Sequence, residues 1–184
     1  IGRGMDCLLG VPDTGSLFTY YHRVDRHRTA FYTRILLTTR EAFDGCPGIP
    51  PERVDAEEYR AIREEYLAGR TYLSWDADAV DFQREICRQG GGDLYRFQGK
   101  RTGCAAAQYT EDGTLLLNEL LAPEEELVAC LSGLLERMPA ERLEVRMPVW
   151  LGASLGGEIL PFGDIAPGGP AEQITGTEGY VGLD

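Results

Sequence analysis

The chain has 184 residues, 43% of them hydrophobic, and a mean hydropathy of -0.25. That is enough for one ordinary core, or one domain and part of another, and it excludes a disordered chain. No apolar run approaches the roughly 18 to 20 residues of a membrane helix. The formal net charge of -12 disfavours a nucleic-acid partner.

The charge is unevenly spread. Residues 1–45 hold six arginines against five acids, a balance of +1, while the rest holds 12 bases against 25 acids, giving -13. Five cysteines (Cys7, Cys46, Cys87, Cys104, Cys130) are far apart and form no C-x-x-C pair. This pattern fits free thiols in a reducing cytoplasm. The first ten residues, IGRGMDCLLG, carry neither a secretory signal pattern nor an initiator Met.

In chain order, MDCLLGV (5–11) has the apolar density of a buried strand and runs into the turn-forming PDTG. Leu17, Tyr20, Tyr21 and Val24 then recur at helical spacing over 16–24, with Thr14 or Ser16 as cap. The β-branched and aromatic stretch 29–43 predicts a strand. CPGIPPE (46–52), with three prolines in five residues, predicts a linker that neither helix nor strand crosses.

Beyond it the order becomes regular. A helix is expected over 55–69, with Asp55 and Glu58 as a capping box, Tyr59, Ile62 and Tyr66 as its apolar stripe, and Gly69 as its stop. A second helix is expected over 75–92, capped by Asp76 or Asp78 and apolar along Ala79, Phe82 and Ile86. Strands follow at 93–99, 103–110 and 113–121, the last two joined as a hairpin through EDG. A helix over 124–138 buries Leu127, Leu131, Leu134, Leu135 and Met138, and RLEVRMPV (142–149) alternates as a strand with one wet face. From Gly152 onward glycine and proline dominate, and EGYVGLD offers a short closing strand.

Helix, helix, three antiparallel strands, helix, strand resembles the core order of the GNAT-type acyl-CoA N-acyltransferases. LLGVPDTGSLFTYYHR is similar to that family's fifth strand and following helix, with Tyr21 on its tyrosine; its Gly-Phe positions are Asp25 and Arg26 here. The GGDLYRF, NELL, EVRMP, FGDI and GYVGLD stretches resemble bacterial proteins with two such units in tandem. The implied fold is α+β: a mixed, mostly antiparallel sheet flanked by helices in layers. The implied division is the end of a first unit at 1–45, a linker at 46–51, and a second, degenerate unit at 52–184.

The resemblance implies acetyl transfer from acetyl-CoA to a small-molecule or peptide amine, with acetyl-CoA seated where the fourth strand splays from the fifth. A glycine-rich turn at the next helix N-terminus would hold its pyrophosphate. Residues 113–138, GTLLLNELLAPEEELVACLSGLLERM, occupy that position in the second unit. Pro123 removes a donor there, and Glu124, Glu125 and Glu126 place carboxylates where phosphate would lie. Those carboxylates are expected to satisfy their own helix start. In the first unit GRG (2–4) is too short for a phosphate loop, so the cofactor turn is expected upstream of Ile1. The alternative is a catalytically silent module working through protein contacts or homodimerisation.

Under the resemblance Tyr21 is the general acid that protonates the departing thiolate; otherwise it packs on the sheet. Glu119 interrupts an apolar strand, either paired with a neighbour such as Arg146 or facing a cleft as a general base. His22 and His27 lie five apart with no completing metal ligand, so they read as surface histidines. Asp13 reads as a turn or cap residue. Trp75 and Trp150 read as core or interface anchors, and Cys7 lacks a histidine to activate it.

Overall fold

The structure, a computed structural model, describes residues 9–11, 15–24, 27–166 and 179–183. The expectations for GRG at 2–4, Cys7, Asp13, Asp25 and Arg26, and most of the first strand, lie outside them. The described strands are β1 (Leu9–Gly10), β2 (Arg28–Thr39), β3 (Pro51–Arg53), β4 (Thr71–Tyr72), β5 (Asp93–Gln98), β6 (Thr102–Tyr109), β7 (Leu115–Leu121), β8 (Arg142–Pro148), β9 (Glu158–Ile165) and β10 (Gly179–Tyr180). The helices are α1 (Gly15–Val24), α2 (Ala56–Leu67), α3 (Ala77–Gln89) and α4 (Leu127–Arg137). None of these is long and apolar enough to cross a membrane.

One mixed sheet runs in the order β1-β9-β2-β8-β7-β6-β5-β3. Every adjacent pair along it is antiparallel except β7 and β8, which are parallel. Helices flank this sheet, the expected α+β fold. The strand β2, from the start of the chain, lies between β8 and β9, from its end.

The centre is built from β6 and β7. Cys104, Ala105, Ala106 and Ala107 are all buried, as is every residue of β7, so both faces of these strands are covered. Three small alanines leave room for α2 and α3, which pack against each other and against β5 and β6. Leu127, Cys130, Leu131 and Leu134 of α4 join the same core. Each large apolar side chain so buried contributes roughly 1.5–3 kcal/mol relative to exposure.

Asp55 caps α2 by accepting from Glu58 N at 2.8 Å, and Asp76 caps α3 through Ala79 N at 2.8 Å. Gly69, at φ +81°, ends the α2 segment. The expected stripe of α3 is rotated: Val80 and Cys87 are its buried residues, whereas Phe82 is 66% exposed. The seven-residue spacing of Val80 and Cys87 sets the inward face, and Phe82 lies off it.

The prolines at 46–52 do not exclude a strand. Pro51 opens β3, an edge strand, where its missing N–H breaks no ladder. The stretch before β3 is pinned to α4: Ile49 N donates to Ala129 O at 2.8 Å and Ser132 Oγ to Cys46 O at 2.7 Å. Gly133 permits this approach, since a Cβ there would stand 2.0 Å from Ile49 O. The glycine-rich region beyond Gly152 also contains β9. Its Pro161 is tolerated because β1 pairs only with Asp164 and Ile165, leaving the rest of that side free of a described ladder partner.

Candidate functional site

Strands β7 and β8 are in register from Leu115 opposite Leu143 to Leu117 opposite Val145, and pairing stops there. Both strands continue, to Leu121 and Pro148, so the sheet opens between them. The β6–β7 register slips at the same level: Ala107 faces Leu117 and Ala106 faces Glu119, leaving Asn118 as the extra residue of a bulge. A parallel pair that parts beside a bulge is the cleft expected for an acyl carrier.

The chain itself fills this opening. Glu119, fully buried, accepts from Arg63 Nε at 3.1 Å on both carboxylate oxygens and from Tyr59 Oη at 2.9 Å. Arg63 also donates to Leu73 O at 2.8 Å and to Val181 O at 2.7 Å. The segment Gly179–Leu183 lies against this pair. Trp75 Nε1 donates to Val181 O at 3.1 Å, Leu73 N donates to Tyr180 O at 2.8 Å, and the Tyr180 ring meets Trp150 edge-on. Gly182 passes so close that a Cβ would stand 2.0 Å from Glu119 Oε1.

Burial pulls the Arg63 guanidinium toward deprotonation, but the Glu119 charge and hydrogen bond, with Tyr180 and Tyr59, together outweigh this and hold its pKa above the ordinary value. Burial also pushes the Tyr59, Tyr180 and Cys104 groups well up, each reinforced by the Glu119 charge. The partner expected for Glu119, Arg146, instead donates to Glu144 at 3.0 Å. Arg63 went unforeseen because it sits in the charged run YRAIREE; its position four residues after Tyr59 marks the same helix face. The described cysteines, Cys46, Cys87, Cys104 and Cys130, are all free thiols, as expected.

The turn after β7 differs from the self-capped helix start expected for it. Residues Glu124–Glu126 form a 3-10 turn, α4 begins at Leu127, and no side chain caps either one. The carboxylates reach neighbouring loops instead. Glu124 accepts from Gly152 N at 2.7 Å and Ser154 Oγ at 2.9 Å, and Glu126 from Lys100 N at 2.8 Å. These donors hold the Glu124 carboxyl below its ordinary value, against the effect of burial. Arg34 fixes the same loop, donating to Val149 O at 3.1 Å and Gly156 O at 3.0 Å.

The second cluster lies under α1, far along the sheet order. Tyr21 is half-buried, and its ring stacks on His27 at 5.4 Å between centroids. The histidines are not merely surface residues. His22 Nε2 lies 3.0 Å from Asp164 Oδ2 and 3.3 Å from Thr29 Oγ1. Asp164 is fully buried, and His22 is its one ion contact among the described residues, without the alignment of a hydrogen bond. Asp164, within the FGDI stretch, was not read as a functional residue from sequence. The structure sets His22 against Asp164 at one end of the sheet, stacks the neighbouring Tyr21 on His27, and places Glu119 in the filled opening. No group of three or more metal-ligating side chains occurs among the described residues.

No protein-family model matches this sequence, and no curated protein does. Solved structures do. A GCN5-related N-acetyltransferase from Kribbella flavida matches with a TM-score of 0.59 at 12% identity, over 89% of this chain and 44% of that one. A conserved protein from Enterococcus faecalis, described as a probable N-acyltransferase, gives a TM-score of 0.60 at 13% identity, over 89% and 45%. A GCN5-related N-acetyltransferase from Anabaena variabilis gives 0.58 at 11%, over 89% and 46%. The fold is therefore of the GNAT type, and this chain spans less than half the length of each of these neighbours.

Proposed function

We propose that the protein is an N-acetyltransferase of the GNAT type, moving an acetyl group from acetyl-CoA to an amine. In this reading the unit formed by residues 52–184 together with β2, which lies between β8 and β9, holds no cofactor, and the chemistry belongs to a unit of which α1 is a part. The observation that carries the division is the opening between β7 and β8: a cleft of the right architecture, occupied by Arg63, Glu119 and Gly179–Leu183. Glu124, held by Gly152 and Ser154, keeps a carboxylate charge beside the following helix start, which opposes an anion there. Glu119 then acts as a buried structural anion instead of a base.

Tyr21 is the acid. The amine nitrogen attacks the thioester carbonyl carbon, the C–N bond forms, the C–S bond breaks, the thiolate takes the proton of the Tyr21 hydroxyl, and the proton lost by the new amide nitrogen restores the phenol through solvent. Calorimetry with acetyl-CoA on the full-length product tests the reading. Binding is expected, unchanged by Glu124→Ala, while Tyr21→Phe lowers kcat by about 10²-fold or more. No binding at millimolar ligand, or CoA found on the amides of residues 122–127, overturns it.

One feature favours the alternative, a silent module acting through protein contacts. Leu37 is 72% exposed and lines a shallow cavity with Ile35, Leu160, Glu144 and Glu158. Light scattering tests this: a dimer dissociated by Leu37→Glu, with no acetyl-CoA binding, would support it.

A further inference from the structure

Asp164 is the observation that asks for more. A fully buried carboxylate ordinarily gathers several donors, as Glu119 does, because an uncompensated charge in the interior is costly. Asp164 has none in hydrogen-bonding alignment and faces a single imidazole at 3.0 Å. That imidazole is 40% exposed at its side chain and belongs to the residue beside Tyr21. A buried carboxylate behind a half-open histidine is the arrangement that fixes a ring's orientation and tautomer for proton transfer.

We infer that His22 is the base of the acyl transfer and that Asp164 is its positioning residue; this rests on the acyltransferase reading. With the hydrogen on Nε2, toward Thr29 Oγ1 at 3.3 Å and beside the Asp164 carboxylate at 3.0 Å, Nδ1 carries the lone pair. A substrate ammonium passes one proton to Nδ1, and its freed electron pair attacks the thioester carbonyl. When the C–S bond breaks, Tyr21 protonates the thiolate, the new amide nitrogen loses its remaining extra proton to water, His22 gives its proton back to solvent, and solvent recharges Tyr21. The sum is one proton released per acetyl group moved. The substrate is therefore a cationic primary amine, bound with its nitrogen beside α1.

The groups facing His22 among the described residues are Asp164 from β9, Thr29 from β2, and Phe18 on α1, whose ring meets the imidazole edge-on. His27 faces Tyr21. A mere tether for α1, which buries no residue fully, would use the same contact. The experiment separates the two through His22→Gln, which keeps an N–H donor toward Asp164 but cannot act as a base, together with His22→Ala and Asp164→Asn in the full-length protein.

Wild-type kcat/KM for the amine should fall as pH is lowered. In His22→Gln that limb should vanish, with a loss of about 10²-fold or more and an unchanged affinity for acetyl-CoA. Added imidazole should restore part of the activity of His22→Ala. Independently of any variant, imidazole ¹⁵N shifts of the wild-type protein should place the neutral ring's hydrogen on Nε2. Wild-type turnover retained in His22→Gln with its acid limb intact, or hydrogen found on Nδ1, overturns the inference alone. A wild-type protein inert toward acetyl-CoA overturns the acyltransferase reading and this inference with it.

Discussion

Glu119 and Asp164 are both fully buried carboxylates on strands of one sheet, yet their surroundings differ in kind. Glu119 has both oxygens bonded by Arg63 and a third bond from Tyr59, and its partners tie in α2 and the segment Gly179–Leu183. Among the described residues Asp164 has only His22 as a charged partner, under α1, which buries none of its residues fully. A saturated interior charge is architecture, since every change of protonation would break several bonds at once. An unsaturated one beside a half-open imidazole is free to take part in proton movement.

The sharpest way to break this contrast is at Arg63. Arg63→Ala strands the Glu119 charge and should cost about 3–5 kcal/mol in urea unfolding. Replacing both partners, Arg63→Met with Glu119→Leu, should recover most of that loss. A mild single mutant would mean that the pair is not the anchor described.

Gly182→Ala comes next. Its Cβ would stand 2.0 Å from Glu119 Oε1 at a backbone φ of +61°, so a loss of about 1–3 kcal/mol is expected in the same assay. Asp164→Asn sharpens the comparison from the other side. It removes a poorly compensated charge, so stability should change by no more than about 1 kcal/mol, in either direction, even where turnover collapses. A loss as large as that at Arg63 would make the two carboxylates equivalent.

The smallest effect belongs to Asp112, in the β6–β7 turn. Hydrogen bonds from Thr110 and Thr114, aided by Arg142, lower its carboxyl from 3.8 to about 2. A group depressed in the folded state stabilises it fully above the unfolded value and loses that contribution as pH falls toward the folded one. The turn's contribution should thus be intact above about pH 4 and fade toward pH 2. Asp112→Asn should flatten that part of the unfolding curve by slightly lowering stability at neutral pH while leaving it unchanged near pH 2.

Much of the frame was legible in the residues themselves. The Asp55 and Asp76 caps, the Gly69 stop, the EDG turn and the leucine stripe of α4 are local signals, and local physics decides them. What escaped was set by distant packing. Nothing near Arg63 in sequence announces Glu119, 56 residues away. Glu124 looks like a capping residue until the loop at Gly152 and Ser154 takes its carboxylate. The strand β9 hides behind Pro161, which lies where β9 has no described partner on its β1 side. His22 was read as a surface residue because its buried partner, Asp164, lies at the far end of the chain.

The interleaving of β2 with β8 and β9 sets a condition on biosynthesis. Residues 28–39 leave the ribosome roughly a hundred residues before either neighbour, a wait of about 5 to 20 s at ordinary elongation rates. Throughout it the largely buried run from Ala30 to Leu36 lacks β8 and β9, the strands that flank it in the sheet. Closure can follow only after late, long-range loops are formed, which makes assembly slow and leaves the nascent chain dependent on whatever shields that segment in the meantime.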